Sequence, residues 1–319
     1  MAAGRPPPGI LDDIVAAIGN TPMVELSRIA PPPGVQLFAK IEGANPTGSV
    51  KDRIARSMLA EAVASGALAP GQTILEPSSG NTGISLAVVG GRMGHPVRIV
   101  MPDNTTPERE QLLRAHGAEI MFSPGAEGPN GAIRMAERLA AADPSLFMPF
   151  QYANEANPRA HEQTTGPEIL DAVPDVDVFV AGLGTGGTLT GVGRALKAAR
   201  PGVRLVAAEP LPGEQVQGLR SLEEGYVPPV LDASVLDDRY LVSNREAVVG
   251  TRRLMAEEGI FAGLSSGAAL TVALRVAAEM DRGSIVVLLA DGGAKYLSTG
   301  LWERDLDVLE SDMEGQVLW

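Results

Sequence analysis

Lys51 stands in Asn45-Pro46-Thr47-Gly48-Ser49-Val50-Lys51-Asp52-Arg53, a turn that runs into a helix. The chain has only four lysines, Lys40, Lys51, Lys197 and Lys295, among 26 cationic residues, so bulk positive charge is supplied by arginine. A lysine at such a turn therefore invites a chemical reading. An amine that sheds its proton can attack an aldehyde, whereas a guanidinium stays charged at every relevant pH. Partial desolvation and the positive end of a helix dipole both help the amine lose that proton. An ordinary first-turn lysine paired with Asp52 or Glu42 accounts for the same residues.

Two further segments have the composition of anion cradles. Glu76-Pro77-Ser78-Ser79-Gly80-Asn81-Thr82-Gly83 follows an apolar run and precedes a helical pattern. Its small hydroxyl residues, glycines and free N–H groups at a helix start suit a carboxylate, and a plain N-cap by Ser79 or Asn81 suits them equally. Gly182-Leu183-Gly184-Thr185-Gly186-Gly187-Thr188 follows a second apolar run and also opens a helix. Without bulky side chains its backbone N–H groups can approach a phosphate closely, and it lacks the lysine of a nucleoside-triphosphate loop. Gly182, Gly184 and Gly187 satisfy G-x-G-x-x-G, and Glu209 lies where a ribose-binding acid belongs, which makes a nicotinamide dehydrogenase the rival reading. That rival leaves the lysine loop and the Ser79 loop unexplained. One ligand explains all three: an aldehyde for Lys51, a phosphate for Gly184 to Thr188 and an amino-acid carboxylate for Ser78 to Thr82, which together describe pyridoxal 5'-phosphate carrying an amino acid.

Composition narrows the alternatives. A net charge of −13 disfavours nucleic acid and anionic membrane as partners. There is no cysteine, hence no disulfide, thiolate nucleophile or cysteine-ligated zinc. His95, His116 and His161 have no metal-ligand spacing, so no metal is expected and each reads as a surface or capping residue. Met1 to Gly9 carries three consecutive prolines and no apolar signal core, and the longest apolar run, Ile285 to Ala290, is too short for a bilayer span. A cytoplasmic protein is the expectation.

The elements that must position these loops read as alternating short apolar runs and amphipathic stretches, the pattern of a mainly parallel α/β sheet covered by helices. Strands are expected over 35–41, 72–76, 97–101, 118–122, 147–150, 177–181, 203–208 and 285–290. Helices are expected over 52–65, 81–92, 107–116, 129–142, 187–199, 245–258 and 267–280. At 319 residues two medium domains are reasonable, and no flexible linker separates them, so they are expected to be interwoven. Sites in such folds lie at the carboxyl ends of strands.

Asn45 to Arg53, Pro77 to Gly83 and the glycine loop, in this order, closely resemble the cysteine synthase family of fold-type II pyridoxal-phosphate enzymes. The similarity continues through Gly263-Leu264-Ser265-Ser266-Gly267 to Asp291 and Tyr296. It implies the tryptophan-synthase-β-like architecture, with 1–41 and 152–319 forming a larger phosphate-binding domain and 42–151 a smaller mobile one. It implies that Lys51 holds the cofactor covalently and later acts as the base. Asn81 would bond the ring hydroxyl, Gly184, Thr185, Gly186, Gly187 and Thr188 would hold the phosphate, and Ser265, otherwise a helix cap, would face the pyridine nitrogen. Ser78, Ser79, Asn81, Thr82 and Gln151 match substrate-binding positions.

The implied reaction is a β-replacement on an activated serine, through α-aminoacrylate, giving L-cysteine. Gly213 to Arg220 resembles the branch that accepts O-phospho-L-serine, where the arginine faces the leaving group. A dianionic phosphate matches a guanidinium fork and a neutral acetyl group does not, which favours the phosphoserine role over a plain surface pair of Arg220 with Glu223 or Glu224. O-acetylserine is the alternative donor, followed by a cystathionine β-synthase-like or dehydratase lyase. The sulfur could come as sulfide or from a small carrier protein's thiocarboxylate. Met313 to Trp319 could fold over the site mouth or remain a frayed or dimer-packed tail, and a homodimer is expected by resemblance alone.

Overall fold

The computed structural model describes residues 9–29, 31–78 and 80–313. Two sheets organise it. The larger has six strands in the order β1 (Met23–Glu25), β2 (Val35–Ile41), β10 (Gly283–Leu289), β7 (Val178–Gly182), β8 (Arg204–Pro210), β9 (Asp238–Val242), and only the β1–β2 pairing is antiparallel. The smaller is fully parallel, in the order β5 (Glu119–Ser123), β4 (Val97–Pro102), β3 (Thr73–Pro77), β6 (Leu146–Phe147).

The central strands β10 and β7 carry near-continuous apolar runs, Ile285 to Leu289 and Val178 to Ala181, because both faces of the sheet are covered. In β10, Ile285, Val287 and Leu289 enter one core with helices α8 (Asn244–Glu258) and α9 (Leu264–Ala278), while Val286 and Leu288 enter another with α7 (Gly187–Ala199). In β3, Ile74 packs with α1 (Lys51–Ala64) and α2 (Asn81–Arg92), and Leu75 packs with α4 (Gly128–Ala142) on the other face.

The α/β reading therefore holds, with local departures. The short edge strands β1 and β9 were not expected. The strand expected at 147–150 shrinks to Leu146–Phe147: Pro149 has no N–H to pair, and Phe150 turns to a positive φ of 53°. An unforeseen helical segment runs from α5 (Ala156–Ala160) through a π-turn at His161–Thr165 into α6 (Gly166–Ala172). A further helix lies at Leu306–Met313. No helix among the described residues is long and apolar enough to cross a membrane.

The link between the sheets matters for the site. Helix α3 (Pro107–Ala115) follows β4 and docks its first turn on the segment after β10. Glu108 accepts from Ser298 N and Oγ at 2.6 and 2.8 Å, and Thr106 Oγ1 donates to Lys295 O at 3.1 Å.

Candidate active site

Lys51 is the first residue of α1, at the positive end of its dipole. The turn before it is pinned from both sides: Val50 N donates to Ala290 O (2.8 Å), Gly292 N to Gly48 O (3.1 Å) and Lys295 Nζ to Gly48 O (3.1 Å). Gly48 has φ +79°, which glycine alone adopts freely. Neither suggested partner is available to Lys51. Asp52 accepts from Thr47 N (2.7 Å) and Ser85 Oγ (2.5 Å), and Glu42 is bound by Thr21, Asn45 and Arg53. Burial pulls the Lys51 amine below the ordinary lysine value, against the opposing charges of Asp291 and Glu42.

Arg53 ties this turn to the larger sheet. Its guanidinium donates to Glu42 at 2.8 and 2.9 Å and to Glu168 at 2.7 Å, and Lys40 Nζ joins Glu168 at 2.7 Å. Burial alone would raise the Glu168 carboxyl, but the hydrogen bonds from Arg53 and Lys40 hold it down to about 2.

The loop after β3 lines the same pocket as Lys51. Ser78 Oγ accepts from Gly83 N at 3.0 Å and so closes the start of α2. Asn81 does not cap the helix: its Nδ2 donates to Asp291 Oδ2 at 2.7 Å, across to the segment after β10. Thr82 Oγ1 donates to Gln151 Oε1 at 2.7 Å, joining two of the expected carboxylate ligands. Ser79 lies outside the described residues. Glu76, at the end of β3, accepts from Phe150 N (2.7 Å) and Gln151 N (2.9 Å), and burial pushes its carboxyl up to about 7. It fixes the turn that presents Gln151, a role the sequence reading missed.

After β7, Gly186 takes φ +84° and makes no side-chain cap of its own, and the first N–H of α7, on Gly187, donates to Thr185 Oγ1 at 3.3 Å. A Cβ at Gly187 would stand 1.9 Å from Asn157 Oδ1. Asn157 Nδ2 bonds Thr185 Oγ1 at 3.1 Å and Gln151 O at 2.8 Å. The histidine reading needs correction here. His161 is buried in the π-turn with Nδ1 2.9 Å from Thr165 Oγ1 and Nε2 3.3 Å from Thr188 Oγ1. Burial, then the Arg53 and Lys51 charges, hold its imidazole well below the usual range, so a neutral ring braces Thr188. His95 is also buried, with Nδ1 3.0 Å from Gln72 O. The dehydrogenase acid Glu209 is fully buried and already engaged, accepting from Leu222 N at 3.1 Å and pairing with Arg239 at 3.3 Å.

These loops line one cleft, with about 1120 Å³ of empty space including its open mouth. Lys51, Ser78, Asn81, Thr82, Gln151, Gly184, Thr185, Gly186, Thr188, Arg220 and Ser265 all face it, and Gly187 lies behind as the first residue of α7. Ser265 is the second residue of α9, after an N-cap at Gly263 that has no side-chain capping bond. Arg220 lies over two rings, 5.5 Å from the Tyr152 centroid and 4.9 Å from Tyr226, and Glu223 does not pair with it, while the Glu224 side chain lies outside the described part of the structure.

The fit to pyridoxal phosphate can be tested on unused groups. Buried Asn81 Oδ1, Gln217 Nε2 and Asp291 Oδ1 have no partner among the described residues, and Asn81 and Gln217 line the cleft. A lone amine, the glycine-loop N–H groups at a helix start and side-chain donors and acceptors for a polar ring match the aldehyde, phosphate and ring substituents of the cofactor.

Comparison with known proteins agrees. Residues 14–292 match the family model described as pyridoxal-phosphate dependent enzyme. A probable cysteine synthase of Bacillus subtilis is 44% identical over 297 residues, 89% of this chain and 96% of that protein. A cysteine synthase of Staphylococcus aureus is 42% identical over 305 residues, 92% and 98% of the two chains. Among solved structures, an O-ureido-L-serine synthase superposes with TM-score 0.87 at 42% identity, covering 95% of this chain and 99% of that one. An O-acetylserine sulfhydrylase isoform 3 of Entamoeba histolytica superposes with TM-score 0.86 at 34% identity, covering 98% of each. The chain belongs to the cysteine synthase family of pyridoxal-phosphate-dependent enzymes, with pyridoxal 5'-phosphate as its cofactor.

Proposed function

We propose that this cysteine synthase uses O-phospho-L-serine, replacing its phosphate with a sulfur nucleophile to release L-cysteine. The observation that carries the preference is Arg220, a cleft-lining guanidinium held over two tyrosine rings. A planar fork of donors suits a departing phosphate, which leaves with the electron pair of the broken Cβ–O bond, while a neutral acetyl group does not require it.

Bound pyridoxal phosphate supplies the electron sink for loss of the α-proton and departure of the β-substituent. Gly184 to Thr188 would hold its phosphate, Asn81 its ring hydroxyl, and Ser265 would face its pyridine nitrogen with a neutral hydroxyl. Lys51, held below the ordinary lysine value by burial, takes the α-proton and returns it after the Cβ–S bond has formed. Ser78, Ser79, Thr82 and Gln151 hold the substrate carboxylate. Residues 42–151 would close over the site and exclude water. Sulfide and a carrier-protein thiocarboxylate are both chemically competent nucleophiles. The structural neighbour acting as an O-acetylserine sulfhydrylase favours O-acetyl-L-serine as the second reading.

Steady-state kcat/KM separates the two. Wild type should prefer O-phospho-L-serine, and Arg220→Ala should lower that value about 10- to 100-fold, the scale of a hydrogen bond to a charged group, while leaving O-acetyl-L-serine nearly unchanged. Equal or better use of O-acetyl-L-serine by wild type would contradict the preference.

A further inference from the structure

A second arginine in the cleft was not singled out by the sequence. Arg109, in the first turn of α3, is 2% exposed, yet its Nε and Nη1 have no hydrogen-bond partner among the described residues. It reaches the pocket because Gly80 leaves room: a Cβ there would lie 3.1 Å from Arg109 Nε. Its Cζ stands 5.2 Å from the centroid of the Tyr296 ring, whose hydroxyl donates to Asp291 Oδ2 at 2.9 Å. A guanidinium cannot discharge itself by losing a proton, so an unpaired one in a buried wall is costly until an anion arrives.

We propose that Arg109 is a specificity-determining residue for the α-carboxylate of the amino-acid substrate, the anion that completes its bonding. The position selects the anion. Arg109 abuts Gly80 in the Ser78–Thr82 loop, whereas Arg220 lies beside Leu219 and the rings of Tyr152 and Tyr226. The cleft thus carries two guanidinium groups on different walls, one for each charged end of a dianionic substrate such as O-phospho-L-serine. The carboxylate end is read by a full positive charge as well as by neutral N–H and hydroxyl groups, and binding there should discriminate strongly against an uncharged carboxamide. The inference rests on the reading of this cleft as an amino-acid site.

The test uses the cofactor-loaded enzyme and two unreactive probes, L-alanine and L-alaninamide, titrated against its visible absorbance to give Kd. Wild type should bind L-alanine at least about tenfold more tightly than L-alaninamide, since a hydrogen bond to a charged group is worth about that factor or more. Arg109→Gln should weaken L-alanine about tenfold to a hundredfold and leave L-alaninamide unchanged, and Arg109→Lys should recover part of the loss. Unchanged L-alanine affinity in Arg109→Gln would show that the side chain only packs on Tyr296 and would overturn the proposal. Equal wild-type affinities for the two probes would overturn it without any variant. Cofactor-loaded enzyme whose absorbance responds to neither probe would instead remove the reading of this cleft as an amino-acid site.

Discussion

Arg53 and Arg109 are both buried, at 1% and 2% exposure, and both belong to helices that border the cleft, yet their surroundings are opposite. Arg53 is saturated by Glu42, Glu168, Thr21 and Thr164. Arg109 leaves two nitrogens without described partners and faces the pocket. A buried charge that the protein satisfies itself is scaffold, because its energy is spent on holding the fold. A buried charge that the protein leaves open is recognition, because its partner must be brought in. The same contrast separates Glu76, which fixes the Gln151 turn through two backbone bonds, from Asn81, whose Oδ1 is unused.

The contrast should be visible in stability. Arg53→Met would leave Glu42 buried without its counter-charge and should destabilise the protein by about 3–5 kcal/mol in denaturant unfolding. The matching Arg109→Met change removes an unpaired charge, so the cofactor-free protein should unfold at the same denaturant concentration or a higher one. A large loss of stability in Arg109→Met would erase the distinction between the two arginines.

A smaller effect appears in acid. The Glu168 carboxyl sits at about 2 in the folded protein against an ordinary 4.5, so the folded state binds fewer protons than the unfolded state between those values. Its contribution to stability is complete above the ordinary value and is lost as pH falls from about 4.5 toward about 2. Glu168→Gln should therefore be less stable than wild type at neutral pH, and the difference should shrink through that acid window. A difference that is constant with pH would mean that the Arg53–Lys40–Glu168 cluster contributes by packing alone.

Much of the fold was legible because strands buried on both faces, such as 285–289 and 178–182, are continuous apolar runs followed by glycine-containing loops. The three loops that meet in the cleft were legible because each is a local pattern of small, hydroxyl or glycine residues between a strand and a helix. Arg109 was not. It sits in Pro-Glu-Arg-Glu-Gln, a helix start that looks solvated, and only the docking of α3 on the segment after β10 buries it. Nor was the 156–172 helix, where Pro158, Gly166 and Pro167 read as breakers. In the structure both prolines fall in first turns, where a missing N–H costs little, and the π-turn between them turns His161 inward to Thr188. Glu76 offered a usable signal, a carboxylate ending an apolar strand, whose meaning depends on a turn 75 residues away. The suggestion that Met313 to Trp319 folds over the site mouth concerns residues that, beyond Met313, lie outside the described ones.

The central claim is that Lys51 is the cofactor's covalent residue. Lys295 is a demanding internal control, because burial lowers its amine value too and it donates to Gly48 O within the same turn. Purified protein should be reduced with borohydride, digested and mapped by mass spectrometry across all four lysines. The account predicts one pyridoxyl-phosphate adduct, on the peptide containing Lys51, and none on Lys40, Lys197 or Lys295. An adduct on Lys295, or no adduct on any lysine in protein that carries the cofactor, would contradict it.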